Sequence, residues 1–270
     1  MSDIGHERDL GIRRFGRVNW LGLFTLVERE IRRFTAVWTQ TLLAPLVTAG
    51  LFLMIFTLAI GPQRGDVMGV PFAAFLAPGI MMMSVIQNAF ANASSSIMVS
   101  KVQGNIVDTL MPPLSGTELT VGYLCGATAR GLAVAVTIAL AITVLTGTAP
   151  AHPVVALVFV LLGSVVMGGL GIIAAVFAQK FDQMAAITNF IITPLAFLSG
   201  TFYSVEGLPR GLAIVTHLNP VFYLIDGVRY GMIGVSDSSA WLGGAVCLLA
   251  CAVVVGIARW MLRSGYRLKP

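Results

Sequence analysis

Apolar residues run through this chain in long blocks separated by short polar interruptions. A helix needs about 20 mostly apolar residues to cross a hydrocarbon core about 30 Å thick. Six blocks approach that length, near residues 39 to 60, 71 to 99, 118 to 147, 153 to 178, 184 to 203 and 239 to 262. Ahead of them, Trp20, Leu23, Phe24, Val27, Ile31, Phe34 and Trp38 recur at the spacing of one helical face. Glu28, Arg29, Arg32 and Arg33 take the other face. This predicts an amphipathic helix over 19–38 lying in the membrane interface, apolar side down, with its arginines near anionic headgroups. A plain membrane anchor would show the same pattern.

One stretch does not fit a simple crossing. From Phe190 to Gly231 the apolar run carries Pro194, breaks at Ser199-Gly200, and is interrupted again at Leu208-Pro209 and Asn219-Pro220. It predicts a broken, re-entrant hairpin over 204–231, and such backbone survives at membrane depth only when buried in protein or lining a wet cavity. The expected fold is therefore all-α and polytopic: six transmembrane helices, an N-terminal interfacial helix, and a re-entrant hairpin before the last helix.

Polar residues inside the blocks are few and patterned. Ser84, Asn88, Asn92 and Ser96 recur every fourth residue, with Gln87 and Ser95 beside them, so one helical face of the second block is polar. That face is either a wall of a translocation path or a seam of interhelical hydrogen bonds, worth about 0.6 to 2 kcal/mol per contact. Arg130 falls roughly 16 Å into the third block at 1.5 Å per residue, where arginine costs about 2.5 to 3.5 kcal/mol. Glu118 is too far along the same helix to pair with it, and the block interiors offer no other carboxylate. Its candidate partners are Asn or Ser side chains, backbone carbonyls, water, or an anionic group on a substrate. Ser164 with Gly168, and Gly171 with Ala175, mark a close-packing seam in the fourth block.

Composition agrees: 57% of the 270 residues are hydrophobic and 11% charged, against roughly 25% charged in an ordinary soluble domain. The net charge of +5 does not indicate nucleic acid, because the basic residues sort by membrane side. Arg8, Arg13, Arg14, Arg17, Arg29, Arg32, Arg33, Lys101, Lys180, Arg259, Arg263, Arg267 and Lys269 fall on one side, against Arg64, Arg210 and Arg229 on the other. The positive-inside rule then puts both termini in the cytoplasm. Residues 1–18 are basic without a cleavable apolar core and read as a retained cytoplasmic tail, as do residues 264–270. Cys125, Cys247 and Cys251 lie within apolar blocks, where cysteine acts as a small apolar residue.

This orientation places residues 101–116 in the cytoplasm. A short helix from about Gly104 to Met111 would present Asn105 and Asp108 outward; a solvated connector is the alternative. Lys180 and Asp182 sit in a second, shorter cytoplasmic turn. At the outer interface Glu206, Arg210, Asp226 and Arg229, with the Asn219 break, offer charges that could pair when a path is shut.

No phosphate-binding loop of the Gly-x-x-x-x-Gly-Lys-Ser/Thr form occurs, so ATP is not held here by that route. Acidic residues lie at block ends and loops, and His6, His152 and His217 lie off the blocks, which argues against a proton relay. No nucleophile with a base, and no metal-ligand cluster, can be assembled for an embedded enzyme. An autonomous channel or ion-coupled carrier remains the alternative to a subunit driven from outside. Six crossings without internal duplication suit a homodimer around a shared path.

The runs SGTFYSVEGLP and HLNPVFYLIDGVRYG, supported by RRFTAVWTQTLLAPLVT, PGIMMMSVIQNAFANASSS, GATARGL and AQKFDQ, resemble type-2 ABC transporter permeases. The resemblance implies a transmembrane domain over 19–263, a connecting helix at 19–38 and a coupling segment at 101–116. It implies docking of a separate ATPase, in two copies, at Glu28, Arg29, Gly104, Asn105, Asp108, Lys180 and Asp182. ATP and Mg would sit on that partner, with no cofactor on this chain. A homodimer in the bacterial inner membrane would move an amphipathic, lipid-linked or hydrophobic substrate outward past Ser84, Asn88, Asn92, Ser96 and Arg130.

Overall fold

The computed structural model describes residues 18–146 and 149–267. The expected basic tail as far as residue 17, Lys269, and the Glu206 side chain lie outside the described residues. Helix α1 spans Trp20–Thr35, capped by Asn19, whose Oδ1 accepts from the Gly22 amide at 3.0 Å. A π-turn, Thr39–Leu43, runs directly into Ala44–Ala59, and together they form α2. A single turn, Gly61–Arg64, and a two-stranded antiparallel ribbon pairing Asp66–Val67 with Val70–Pro71 lead into α3, Phe72–Val102. The short helix α4 is Ile106–Leu110, followed by α5, Gly116–Thr146, and α6, Pro153–Phe177.

The fifth apolar block forms a shorter helix than expected. Here α7 runs through three consecutive segments of 7, 5 and 5 residues, Phe181–Ile187, the π-turn Thr188–Ile192 and Thr193–Phe197. It stops at Leu198, because Gly200 takes a left-handed φ of 75° and turns the chain back into the bundle. Helices α8, Arg210–Leu218, and α9, Pro220–Ile233, then meet at 87°. Pro220 forces the bend: the residue before a proline is driven out of helical geometry, and Asn219 is extended at φ −88°, ψ 115°. Its Oδ1 caps the Val221 amide at 3.0 Å while its Nδ2 donates to Ser199 Oγ at 2.7 Å, pinning the corner to the end of α7. The last helix is α10, Ala240–Ser264.

Among the described residues, five helices (α2, α3, α5, α6 and α10) are long and apolar enough to cross a membrane, and six crossings result if the bent α8–α9 pair is one. The fold is all-α and polytopic, with the break before the last helix where the sequence places it. Helices α3 and α6 form the buried centre, and α2 and α10 lie at the periphery with most of their apolar surface open.

Small residues set the packing. A Cβ on Gly168 would lie 2.7 Å from the Ala127 methyl, and one on Gly171 would lie 2.6 Å from the Phe90 carbonyl, so the expected seam of α6 is where α3 and α5 press in. Two further pairs of the same spacing do equal work. Gly122 and Gly126 of α5 leave a groove for α1, with would-be Cβ contacts of 2.3 Å to Leu26 and 2.5 Å to Glu30. Gly227 and Gly231 of α9 let α6 in against Phe159 and Ala156 at 2.4 Å each. In a membrane, where helices gain little from leaving lipid, such close approach is what drives association.

Candidate translocation and coupling site

The polar stripe of α3 divides into two halves with different surroundings. Ser84 and Asn88, together with Gln87, line an open crevice of about 250 Å³ shared with Gln40, Thr48 and Phe52 of α2. Arg130 of α5 reaches this half: its Nε and Nη2 donate to Asn88 Oδ1 at 3.2 and 2.9 Å. Asn88 Nδ2 in turn donates to the Ser84 carbonyl at 3.0 Å. The partner of Arg130 is thus an asparagine of the stripe itself, one of the candidates the sequence left open.

Asn92 and Ser96, by contrast, are buried and committed to α1. Ser96 Oγ donates to Glu30 Oε1 at 2.6 Å. Arg33 donates to the Asn92 carbonyl at 2.6 Å, to Asn92 Oδ1 at 3.1 Å and to Ser95 Oγ at 2.8 Å. Glu30, wholly buried, bridges Arg29 and Arg33 at 3.1 Å each. The α1 arginines therefore do not all face headgroups as expected. Arg32 does point outward, paired with Glu28 at 2.6 Å, but Arg29 and Arg33 turn inward because Glu30 sits on the face that the Gly122–Gly126 groove draws into the bundle. Glu30 was not singled out from the sequence, although it lies in register with Leu26 and Phe34, the other buried residues of α1.

The charged cluster continues to the expected coupling segment. Arg29 Nη1 donates to Thr109 Oγ1 of α4 at 3.2 Å. Helix α4 is shorter than the expected 104–111 and amphipathic: Ile106 and Thr109 are buried, while Gly104, Asn105, Val107, Asp108 and Met111 are exposed. A hollow of about 270 Å³ between α1 and α4 includes Arg29, Asp108 and Thr109 in its lining. Behind α4, Ser115 and Glu118 form a reciprocal capping box at the start of α5, Glu118 Oε2 accepting from the Ser115 amide at 2.5 Å and Ser115 Oγ from the Glu118 amide at 3.3 Å. The second Glu118 oxygen accepts from the Asn19 amide at 2.5 Å, fastening the start of α1 to the same corner. Lys101 closes the other side, its Nζ donating to the carbonyls of Ala175, Val176 and Ala178 at 3.0, 2.9 and 2.6 Å. These are the orphan acceptors at the end of α6. Lys180 and Asp182 lie just beyond, exposed, at the N-terminal end of α7.

Polar contacts thus join the exposed helix α4 through α1 to one half of the stripe, and the other half of the same helical face opens on the crevice. A family model described as ABC-2 type transporter matches residues 22–233, which include α4, the stripe and α9. The chain belongs to this family. It is 38% identical over 219 residues to the inner membrane transport permease YadH of Escherichia coli strain K12, covering 81% of this chain and 85% of the relative. It is also 28% identical over 241 residues to Nodulation protein J of Neorhizobium galegae, covering 86% and 88%. Nodulation protein J of Rhizobium leguminosarum bv. viciae is 25% identical over 239 residues, covering 86% and 90%. The chain is an ABC-2 membrane permease of an ABC transporter, a multi-pass inner membrane protein that implies a partner ATP-binding subunit.

The α8–α9 hairpin of this ABC-2 permease differs from the expectation of pairable charges at the outer surface. Arg229 is 0% exposed and Asp226 2%. Arg229 Nη1 lies 3.2 Å from Asp237 and 3.6 Å from Asp226, its Nη2 donates to the Gly200 carbonyl at 2.5 Å, and its guanidinium carbon sits 4.1 Å from the centre of the Phe75 ring. Asp226 accepts from the amides of Asp237 and Ser238 at 2.7 and 2.9 Å and from Ser238 Oγ at 2.7 Å. Asp237, which the sequence did not single out, also takes hydrogen bonds from Ser204 Oγ and the Val205 amide. The physical reason is local: the turn after α9 folds back over it, so the loop's amides and carboxylate cover Asp226 and Arg229 instead of water. Arg210 stays exposed on α8, outside this knot, and Asn219 acts as the corner cap already described.

Proposed function

We propose that this permease works as a homodimer with two copies of a separate ATPase, moving an amphipathic, lipid-linked or hydrophobic substrate outward along a path walled by Ser84, Asn88 and Arg130. The observation that carries it is the open crevice between α2 and α3. Gln40, Thr48, Gln87 and Asn88 line it, and polar groups at membrane depth avoid lipid, facing a bundle interior or a wet cavity instead. A second copy supplies the missing wall. Charge supports an anionic moiety on the substrate: Arg33 and Arg130 converge on the stripe, with Glu30 the carboxylate beside Arg33. Asn92 and Ser96 serve this path as the brace between α3 and α1 rather than as its surface.

The chain itself is a non-catalytic transport subunit; ATP and Mg belong to the partner. Exposed Asp108, Val107 and Met111 on α4 offer that partner a docking face, with Glu28, Arg29, Gly104, Asn105, Lys180 and Asp182 around it. A push on α4 reaches Arg29 through Thr109, then Glu30, and through Arg33 and Ser96 the wall of the path. Both termini are cytoplasmic in this arrangement, and the α8–α9 hairpin closes the outer end as a gate.

The test is a cysteine at Thr48 in an otherwise cysteine-free permease, reconstituted with and without the ATPase subunit. A crosslinked dimer, ATP-dependent transport only with the ATPase present, and loss of transport in Arg130→Met with basal hydrolysis retained are the expected results. Transport by the permease alone, or a monomer under all conditions, overturns the proposal.

A further inference from the structure

One cavity has no part in the path above. It holds about 800 Å³ and lies between α6 and α10, beside Tyr230 of α9. The two helices touch lower down, where a Cβ on Gly169 would lie 2.6 Å from Val254, and where Cys251 Sγ sits 3.5 Å from the Leu162 carbonyl. Above that level α9 wedges them apart: Phe159 packs on Gly227, and Tyr223 faces Gly243. The gap that remains runs from Val154 to Leu162, about 12 Å at 1.5 Å per residue, with walls of Val155, Phe159, Leu162 and Leu248.

Its mouth is chemically different from its walls. Ser236 and Ser238 stand there, beside Tyr230 and Trp241, and Trp241 is 90% exposed, as an aromatic at the membrane interface is. A hydroxyl has one proton to give and two lone pairs to offer. Ser238 Oγ donates to Asp226 at 2.7 Å and Ser236 Oγ donates to the Ser238 carbonyl at 2.9 Å, so both protons are directed inward. What the two serines offer the cavity is acceptors. Directly behind them Asp226 and Asp237 outnumber Arg229, leaving one excess negative charge, and no lysine or arginine is among the lining residues.

We propose that this cavity binds one phospholipid of the leaflet it opens on, with an acyl chain between α6 and α10 and an ammonium-bearing headgroup at the serines. The apolar walls take the chain, and the acceptors and excess negative charge select a protonated amine over an anionic glycerol headgroup. Bound there, the lipid props the upper halves of α6 and α10 against α9, and so against the Arg229 knot. The proposal stands independently of the transport path, because it uses none of the residues of the α2–α3 crevice.

The test is native mass spectrometry of the permease extracted from bilayers with equal phosphatidylethanolamine and phosphatidylglycerol. One retained phosphatidylethanolamine per chain, several-fold over phosphatidylglycerol, is the expected result. Gly244→Phe fills the cavity, since nothing lies within 4 Å of a Cβ at Gly244, and abolishes that retention. Equal retention by the variant, a preference for phosphatidylglycerol, or retention of detergent alone overturns the proposal. Should the variant not fold, the unmodified protein still decides. A phosphatidylethanolamine with a photoreactive acyl chain labels residues 153–162 and 241–248 above the lipid-facing side of α2, and uniform labelling of all exposed helices refutes the site.

Discussion

Glu30 is the sharpest point at which to break the polar contacts between α4 and the stripe. Its carboxylate is wholly buried and accepts from Ser96 Oγ at 2.6 Å and from Arg29 and Arg33 at 3.1 Å each. Removing one partner of a buried ion pair costs about 3–5 kcal/mol. Here that range is an upper bound, because the Arg29 and Arg33 side chains keep 44% and 33% of their surface exposed and can turn toward water. Glu30→Gln keeps the shape and an acceptor for Ser96 but points an amide at a guanidinium; its expected cost is about 2 kcal/mol, the scale of a hydrogen bond to a charged group. Glu30→Ala also leaves a hole against Gly126 and is expected near 3–4 kcal/mol. At about 2–4 °C per kcal/mol, the two variants should melt roughly 6 and 10 °C below the parent. Glu28→Gln is the internal control: it lies two residues away on the same helix, but its pair with Arg32 is exposed, and such a pair contributes only about 0.3–0.5 kcal/mol. Tryptophan fluorescence of purified permease follows the melt, since Trp20 opens α1 and Trp38 follows it. ATP hydrolysis by the bound ATPase, with and without substrate, reads the coupling. If Glu30→Ala melts with Glu28→Gln and leaves substrate-stimulated hydrolysis unchanged, the bridge from α1 to the stripe is not a structural link.

Three other expectations rest on separate contacts. Gly126→Leu should push α1 off α5, costing about 1–3 kcal/mol by overpacking and lowering the yield of folded permease, while Gly50→Leu and Gly256→Leu, where a Cβ meets nothing within 4 Å, should express normally. Arg229→Met strands Asp226 and Asp237 without their cation and should cost about 3–5 kcal/mol; adding Asp237→Asn should recover part of the loss in a melting curve, and an additive or worse double variant would rule out the ion-pair account. Lys101→Met should expose the end of α6, raising hydrogen exchange over residues 174–182 several-fold with little change in exchange within α10; unaltered exchange would mean that the three carbonyls find water as readily as Lys101.

The membrane class, the long apolar helices and the break before the last one were legible because each is a local property. Length and hydropathy decide whether a helix crosses lipid, and Pro220 after Asn219 bends the backbone whatever surrounds it. The four-residue period of Ser84, Asn88, Asn92 and Ser96 likewise put them on one face without reference to any neighbour. What that face meets was not local. Its N-terminal half opens on the α2 crevice and its C-terminal half closes on Glu30 and Arg33, a division set by where α1 lands on Gly122 and Gly126. The fifth block shows the same limit, since composition allowed a crossing of about 20 residues and the left-handed turn at Gly200 ended α7 early. Charges were least legible of all. From sequence, Asp226 and Arg229 looked like surface groups, and neither Asp237 nor Glu30 stood out. A buried charge is tolerated only where partners converge on it, and only the tertiary packing brings the Gly200 carbonyl to Arg229 and Ser96 to Glu30.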